Sequence, residues 1–463
     1  MMTAFLGLCM AGLLTVPGEN SAQGPPPRPN FIVLLCDDLG YGDLGCFGHP
    51  TIRTPHLDRL AGQGMKLTHC YAAAPVCTPS RAAMLTGRYP RRGSMVDWLP
   101  EGSPRYLSPS QPSVAKLLGQ AGYRTGFFGK WHLSGRLDGT QPTPEHHGFA
   151  DWAATVNTPD PGLEKPTNFV RNGKLLSEPP AHATTFVVDE GLRFLREAQE
   201  AKQPFLLFLW FHAPHEPVDA PTPFQQQYSL ETDPTRRQYY GCVSHLDHEI
   251  GRLLEGLTQR GLAENTLLFF GSDNGPEELY RAVSATRSHG STGPLRGRKL
   301  QLYEGGIRTP GILSWPGRVL PGQVCTTPVS QLDLLPTFCE LAGVRLPTDR
   351  VWDGVSLAPL LKGTPLHRHQ PLYWQYPFTR DGPWQLALRQ GRWKLLANGR
   401  LDLFALYDLE TDPGEVNDLA FSKPDVVRDL ALGLRQRTVE LYRSGLANHP
   451  RWLSRIAIAV SRR

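Results

Sequence analysis

Three short apolar runs, each stopping at a cluster of polar side chains, constrain this chain more than any other feature. Asn30-Phe31-Ile32-Val33-Leu34-Leu35 stops at Cys36-Asp37-Asp38-Leu39-Gly40. Residues 204–211 stop at His212-Ala213-Pro214-His215, and residues 266–271 at Ser272-Asp273-Asn274-Gly275. An unbroken apolar run of this length reads as a strand buried on both faces, as in a parallel sheet. Open α/β sheets gather their functional groups at the carboxyl ends of such strands. Carboxylates, an amide and histidines from three distant segments are therefore expected along one edge. Helical stretches at 57–64, 113–122, 184–198 and 239–260 separate the runs. Strand alternating with helix predicts an α/β layered sheet. Residues 371–410 differ: four short aromatic-rich runs divided by turn residues predict an antiparallel meander, followed by a helix over 424–444. The division expected is a large domain over 29–365 and a small α+β subdomain over 366–463.

Charged residues make up 20% of the chain and hydrophobic residues 40%, with a net charge of +5. That excess tolerates an anionic substrate but is too weak and too dispersed for nucleic acid. The apolar stretch 5–16, followed by Glu19, Asn20, Ser21 and Ala22, reads as an export signal over 1–24. It is too short to span a bilayer, and no later segment is long and apolar enough. No Lys or Arg precedes it, so a buried N-terminal helix is the rival reading. The protein is expected to be exported, periplasmic or secreted. None of the eight cysteines shows zinc-ligand spacing. Export permits disulfides among them, but the sequence does not choose the pairing.

Residues 77–88 read Cys77-Thr78-Pro79-Ser80-Arg81-Ala82-Ala83-Met84-Leu85-Thr86-Gly87-Arg88. Pro79 favours a helix start and Gly87 a stop. Cys77 then sits at a helix N-terminus, where partial positive charge favours an anion. Arg81, four residues on, projects from nearly the same face. A tetrahedral oxyanion suits that volume. From Cys77 and Arg81 alone, an inert packed thiol is the competing account.

Asp37 and Asp38 are adjacent, so a turn at the strand end is needed to aim both at one point. With Asp273 and Asn274 they offer hard oxygen ligands, which suit Ca²⁺ or Mg²⁺ rather than zinc. Turn capping is the alternative for either pair by itself. Gly129-Lys130-Trp131-His132 places a cation and an imidazole two residues apart, on one face of an extended segment.

The string from Cys77 to Arg88 resembles the sulfatase signature C-x-P-S-R-x-x-x-L-x-G-[KR] and matches every fixed position. Asp37-Asp38-Leu39-Gly40-Tyr41-Gly42-Asp43, Thr54-Pro55-His56-Leu57-Asp58-Arg59-Leu60-Ala61, Ser272-Asp273-Asn274-Gly275 and Glu304-Gly305-Gly306-Ile307-Arg308 resemble further blocks of that family. The resemblance runs from about residue 29 to 420. Gly290-Ser291-Thr292-Gly293-Pro294-Leu295-Arg296-Gly297 and Tyr303-Glu304-Gly305-Gly306 look nearest to arylsulfatase A and N-acetylgalactosamine-6-sulfatase types.

The resemblance implies an alkaline-phosphatase-like fold: a large, mostly parallel sheet between helices, with the antiparallel sheet in the C-terminal part. It implies that a maturation enzyme converts Cys77 to formylglycine. It implies Ca²⁺, in preference to Mg²⁺, on Asp37, Asp38, Asp273, Asn274 and the modified Cys77. Arg81, Lys130, His132, His215 and Lys299 are the implied catalytic partners. Lys130, Lys299 and His132 would meet the sulfate or the formylglycine, and His215 would protonate the leaving alcohol. Arg298 stands where the family pattern has glycine, and either enlarges the anion site or faces solvent. His212 is expected behind the site, and Glu304 and Arg308 as structural groups. Asp97, Trp98, His146, His147, Arg287 and His289 are candidates for touching the alcohol portion. The function implied is hydrolysis of sulfate monoesters, with a sulfated carbohydrate as substrate. The alternatives are a phosphate or phosphonate monoester hydrolase on the same fold, and an inactive relative that binds sulfated glycans.

Overall fold

The first apolar run folds as the central strand. In a computed structural model, which describes residues 28–282, 285–380 and 382–446, Asn30–Cys36 forms β1. Phe31, Val33 and Leu35 enter one hydrophobic core, and Ile32, Leu34 and Cys36 enter another. Successive side chains of a strand leave opposite faces, so a strand with a core on each side favours apolar side chains on both. The charged groups begin at Asp37, directly after β1. Burying each of its large apolar side chains contributes about 1.5–3 kcal/mol.

The remaining strands are β2 (Met65–Tyr71), β3 (Arg124–Lys130), β4 (Asp151–Thr155), β5 (Val170–Arg171), β6 (Lys174–Leu175), β7 (Phe205–Trp210), β8 (Thr266–Ser272), β9 (Arg308–Ser314), β10 (Gln323–Cys325) and β11 (Val329–Ser330). Among the described residues they form one 11-stranded sheet, in the order β10-β2-β9-β8-β1-β7-β3-β4-β5-β6 with β11 beside β2. The centre, β8-β1-β7-β3-β4, is parallel throughout, and β9 runs antiparallel to β2 and β8. Helices Ala183–Glu200 and Pro234–Gln259 pack Val187, Phe194, Leu246 and Leu253 into one core. Helices Cys77–Thr86, Val114–Gln120 and Leu334–Leu341 pack Met84, Leu118 and Phe338 into the other. The layered α/β architecture, mostly parallel between helices, agrees with the sequence reading.

Two details differ. The helix expected from 239 begins at Pro234, because the Asp233 side chain accepts from the backbone N–H groups of Thr235 and Arg236. Strands β2, β3, β4 and β9 were not foreseen. Their sequences mix Lys, Thr, Gly or Pro with apolar residues, and pairing inside the sheet overrides that weak local signal.

The C-terminal meander forms β12 (Leu372–Gln375), β13 (Leu386–Gln390), β14 (Trp393–Ala397) and β15 (Phe404–Asp408), antiparallel throughout. Helix Pro424–Leu446 covers one face, with Leu430 and Leu434 against Leu388, Leu395 and Leu406. On the opposite face Trp374, Ala387 and Leu396 pack with Tyr71, Val76 and Cys77 of the larger unit.

The two sheets are also joined by charge. Lys394 on β14 is wholly buried, with its ammonium 3.0 Å from Glu304 and 2.9 Å from Glu415. Glu304 also accepts from the Tyr71 hydroxyl at 2.6 Å and pairs with Arg308, so Glu304 and Arg308 are structural groups as expected. Burial opposes ionisation of Glu304, but the charges of Lys394, Arg308 and Arg389 outweigh it and hold its carboxyl low. Burial pushes Glu415 up to about 7.

The seven described cysteines are all free thiols. No helix among the described residues is long and apolar enough to cross a membrane. The export segment expected over 1–24 lies outside the described residues.

Replacing Lys394 with Met leaves Glu304 buried without its main counter-charge. A loss of about 3–5 kcal/mol is expected, read as a shift in the urea unfolding midpoint. Glu415 gives a pH signature. Its carboxyl stays protonated in the folded chain up to about 7, whereas the unfolded chain loses that proton near 4.5. The stability this contributes is complete below the unfolded value, declines in between and is gone above the folded one. Raising the pH from about 5 to about 8 should therefore lower the melting temperature of the wild type relative to Glu415→Gln.

Candidate active site

The carboxyl ends of β1, β3, β7 and β8 converge on the N-terminus of helix Cys77–Thr86. Asp38 adopts a left-handed conformation (φ 62°), the turn that two adjacent carboxylates need in order to face one point. β8 delivers Asp273 and Asn274 beside them, with Asp273 N–H donating to the Cys36 carbonyl at 3.1 Å. Cys77 opens its helix after Val76, Pro79 lies in the first turn, and Gly87 closes the helix in the left-handed region (φ 63°).

Each carboxylate has a cation. Lys130 Nζ lies 2.6 Å from Asp37 Oδ2, and Lys299 Nζ lies 2.7 Å from Asp38 Oδ2. Arg81 donates through Nε to Asp273 Oδ2 at 2.8 Å and through Nη1 to the Lys130 carbonyl at 3.0 Å. Its Nη2 stands 3.5 Å from Asp37 Oδ1, and its guanidinium lies 5.2 Å from the Trp210 ring centre. Arg81 is thus enclosed by its partners rather than presented to an open pocket. Asn274 Nδ2 donates to Asp38 Oδ1 at 2.6 Å.

The charges act on one another. Burial opposes ionisation of Asp37, but Lys130, His215 and Arg81 overcome it and hold the carboxyl well below its usual range. Burial raises Asp38 despite Lys299, and raises Asp273 despite Arg81. For Lys299, burial is outweighed by Asp38, which holds the ammonium well above its ordinary value. Burial pushes the Cys77 thiol up to about 12 and His215 down to about 3.

The histidines take different routes. His132 does not lie on the extended face expected of the Lys130–His132 segment. Its φ is 55°, and Gly129, at φ 119°, makes the preceding bend where a Cβ would sit 1.9 Å from the Trp210 carbonyl. The two side chains reach the site by turning, not by strand alternation. His132 Nε2 donates to the Leu99 carbonyl at 2.9 Å, leaving Nδ1 as a buried acceptor with no partner. His215 donates from Nδ1 to the Glu216 carbonyl at 2.5 Å, and its Nε2 faces Asp38 Oδ2 at 3.6 Å. His212 lies behind, on Thr155 Oγ1 at 2.7 Å.

A hard cation fits this arrangement. Ligand atoms of Asp37, Asp38, Cys77 and His215 lie within 4.8 Å of one another. Asp37 Oδ1 and Asn274 Oδ1 are buried without any hydrogen bond. Buried oxygens without a hydrogen bond are costly, and two of them beside further carboxylates form an oxygen-rich donor set of the kind Ca²⁺ and Mg²⁺ take.

Several neighbours are less central than the sequence allowed. Arg298 donates to the backbone carbonyls of Gly290 (2.8 Å) and Glu277 (3.1 Å), so it neither extends an anion site nor points freely into solvent. His147 is buried against Trp131, and His146 caps a turn through Thr143. Arg287 donates to the Val218 carbonyl, and His289 pairs with Thr235. Asp97 is half-buried and Trp98 exposed. Sequence reasoning missed Glu277, which stands 3.6 Å from Lys299 and ion-pairs with Arg281. Its position three residues after Asn274 was the available signal. It also missed Tyr376, which reaches the site from the C-terminal sheet and has no motif to mark it.

Comparison with known proteins gives the same assignment. A family model described as Sulfatase matches residues 29–344, and one described as N-sulphoglucosamine sulphohydrolase, C-terminal, matches 298–443. The chain is 36% identical over 434 residues to steryl-sulfatase of Rattus norvegicus, covering 77% of this chain and 74% of that one. It is 34% identical over 454 residues to arylsulfatase A of Homo sapiens, covering 87% and 86%. Among solved structures, Ps i-CgsB in complex with k-i-k-neocarrahexaose superposes with a TM-score of 0.80 at 30% identity, covering 90% of this chain and 94% of that one. A family model matched over more than half of the chain, relatives above 30% identity over three-quarters or more of it, and a fold shared over nine-tenths of it place this protein in the sulfatase family, as a hydrolase of sulfuric esters.

Proposed function

We propose that the substrate is the sulfate ester of a carbohydrate, cleaved at Cys77 after its conversion to formylglycine, with calcium held by Asp37, Asp38, Asp273 and Asn274. The observation that carries the site assignment is the charge balance: three buried carboxylates already matched by Arg81, Lys130 and Lys299. A divalent cation would then offset the single charge of a sulfate monoester together with the charge that develops as its ester bond breaks. The formylglycine hydrate would supply the oxygen nucleophile, and calcium would withdraw charge from the sulfuryl oxygens.

The chain's own residues do the rest. Arg81 fixes Asp273 and Asp37 in register. Lys130 and Lys299, each shared with a carboxylate, are placed to stabilise charge as it develops on the sulfuryl oxygens. His132, with Nε2 committed to Leu99, offers the Nδ1 lone pair as a proton acceptor. His215 offers Nε2 as the atom that carries a proton to the leaving alcohol. The incoming sulfate supplies the negative neighbour that favours that protonation. A thiol pushed up to about 12 is a poor nucleophile, which supports Cys77 as a precursor. The apolar stretch 5–16 supports export, and a formylglycine-generating enzyme is the maturation partner.

The test is a desulfation screen on defined monosulfated sugars, with 4-nitrophenyl phosphate as the phosphate control and Cys77→Ala as the inactive control. The enzyme is co-expressed with the maturation enzyme, and the tryptic peptide 67–81 is weighed. Sugar desulfation with the aldehyde at position 77 is the expected result. A strong preference for the phosphate ester, or full activity with an intact thiol, would sink the proposal. His215→Ala should lower turnover of a sugar sulfate by about 10²–10⁴-fold. The loss should be smaller for 4-nitrophenyl sulfate, whose leaving group needs less protonation, and rates on the two esters would show it.

A further inference from the structure

The segment carrying Asp97 and Trp98 is fastened to the reaction centre at the next residue. Leu99 N–H donates to Thr78 Oγ1 at 3.1 Å, and the Leu99 carbonyl accepts from His132 at 2.9 Å. Thr78 directly follows Cys77, so residues 97 and 98 are held one and two residues from a point tied to the reaction centre. Across from them stands Tyr376, which shares a core cluster with Cys77 and donates its hydroxyl to Asp97 Oδ1 at 3.1 Å. Burial, then Asp97, raises the Tyr376 phenol, so it remains a neutral donor.

Asp97 is only half used. Tyr376 and the Trp98 N–H (2.9 Å) both donate to Oδ1, while no described residue donates to Oδ2. Beside it the Trp98 side chain is 44% exposed, unusual for so large an apolar group, although its own carbonyl is anchored by Arg105 at 3.2 Å. A carboxylate held through one oxygen, next to an exposed indole on an anchored backbone, has a specific chemistry. The oxygen accepts from hydroxyls, and the indole offers a flat apolar face to the C–H surface of a pyranose ring.

We propose that Asp97, oriented by Tyr376, and Trp98 form the subsite for the leaving alcohol, and that it selects a hydroxyl-bearing sugar unit with no second anion next to the scissile sulfate. The inference rests on the carbohydrate reading above and adds residues and a charge rule to it. An apolar alcohol would cover Asp97 Oδ2 without giving it a hydrogen bond, which is costly. A second sulfate on the neighbouring carbon would meet the like charge of Asp97.

The experiment compares kcat/KM for three probes on the mature enzyme: a monosulfated hexose, its disulfated counterpart and 4-nitrophenyl sulfate. Asp97→Ala and Tyr376→Phe should each lower the ratio of monosulfated sugar to aryl ester about tenfold, the worth of a hydrogen bond to a charged group. Asp97→Asn should raise the ratio of disulfated to monosulfated sugar, a shift that a merely structural role would not produce. Trp98→Ala should act on the sugar chiefly through KM. If a wild type that desulfates hexoses gives variants with both ratios unchanged, whether or not all rates fall together, this inference fails and the carbohydrate reading stands. If the wild type turns over the aryl ester and no hexose sulfate, the carbohydrate reading fails and this inference falls with it.

Discussion

Arg81 is the hinge of the structure's electrostatics. Its guanidinium binds Asp273 at the end of β8, stands near Asp37 at the end of β1 and donates to the carbonyl of Lys130 at the end of β3. One buried cation thereby ties three strand ends to the helix that starts at Cys77. Without it, carboxylates deep in a low-dielectric interior would repel one another or take up protons. The strands can end in acids because the helix supplies the counter-charge. The helix can sit with its N-terminus against the sheet edge because the acids fill the space in front of Arg81. Fold and site are in this sense one arrangement, with the twin hydrophobic cores on either side of β1 fixing where its charge can emerge.

The C-terminal sheet is bound into the same arrangement. Lys394 carries a charge from β14 into the larger unit and meets Glu304, which also receives the hydroxyl of Tyr71 at the end of β2. The apolar face that surrounds this contact includes Val76 and Cys77. Just beyond β12, Tyr376 reaches Asp97. A sheet that reads in sequence as an appended meander thus packs directly against the site.

How much of this was legible follows from what each residue type can hide. The runs at β1, β7 and β8 announced themselves because their buried interiors are continuous apolar residues. Asp37, Asp38, Asp273 and Asn274 stood out because they follow such runs, and Cys77 because its twelve-residue context is dense with fixed positions. β3 and β9 were not visible, since their sequences carry Lys, Gly and Pro that only pairing in the sheet makes acceptable. The bend at Gly129 and His132 was misjudged as extended, because local alternation cannot report a positive φ. His147 and His289 looked like substrate contacts, yet one is buried against Trp131 and the other pairs with Thr235. A histidine in a polar stretch carries no sign of which way it turns. Tyr376 and Glu277 were missed because their importance lies in partners far away in sequence.

The charges of the site form an alternating series. Arg281 pairs with Glu277, Glu277 faces Lys299, Lys299 pairs with Asp38, and Asp38 lies against the Asp37–Lys130 pair. Arg81 and Asp273 continue it on the far side. In such a series no member has a fixed energy of its own, because removing one leaves its neighbours with an unmatched charge rather than with water. Deleting Lys299 exposes Asp38 to the repulsion of Asp37, and it also frees Glu277 to bind Arg281 alone. The cost of a substitution at one position should therefore depend on the others, and paired substitutions of opposite charge should cost less than the sum of their singles. The same reasoning explains why the site keeps both lysines on carboxylates. An ammonium already held by an acid is fixed in place, which is the pre-organisation that the proposed mechanism asks of both lysines.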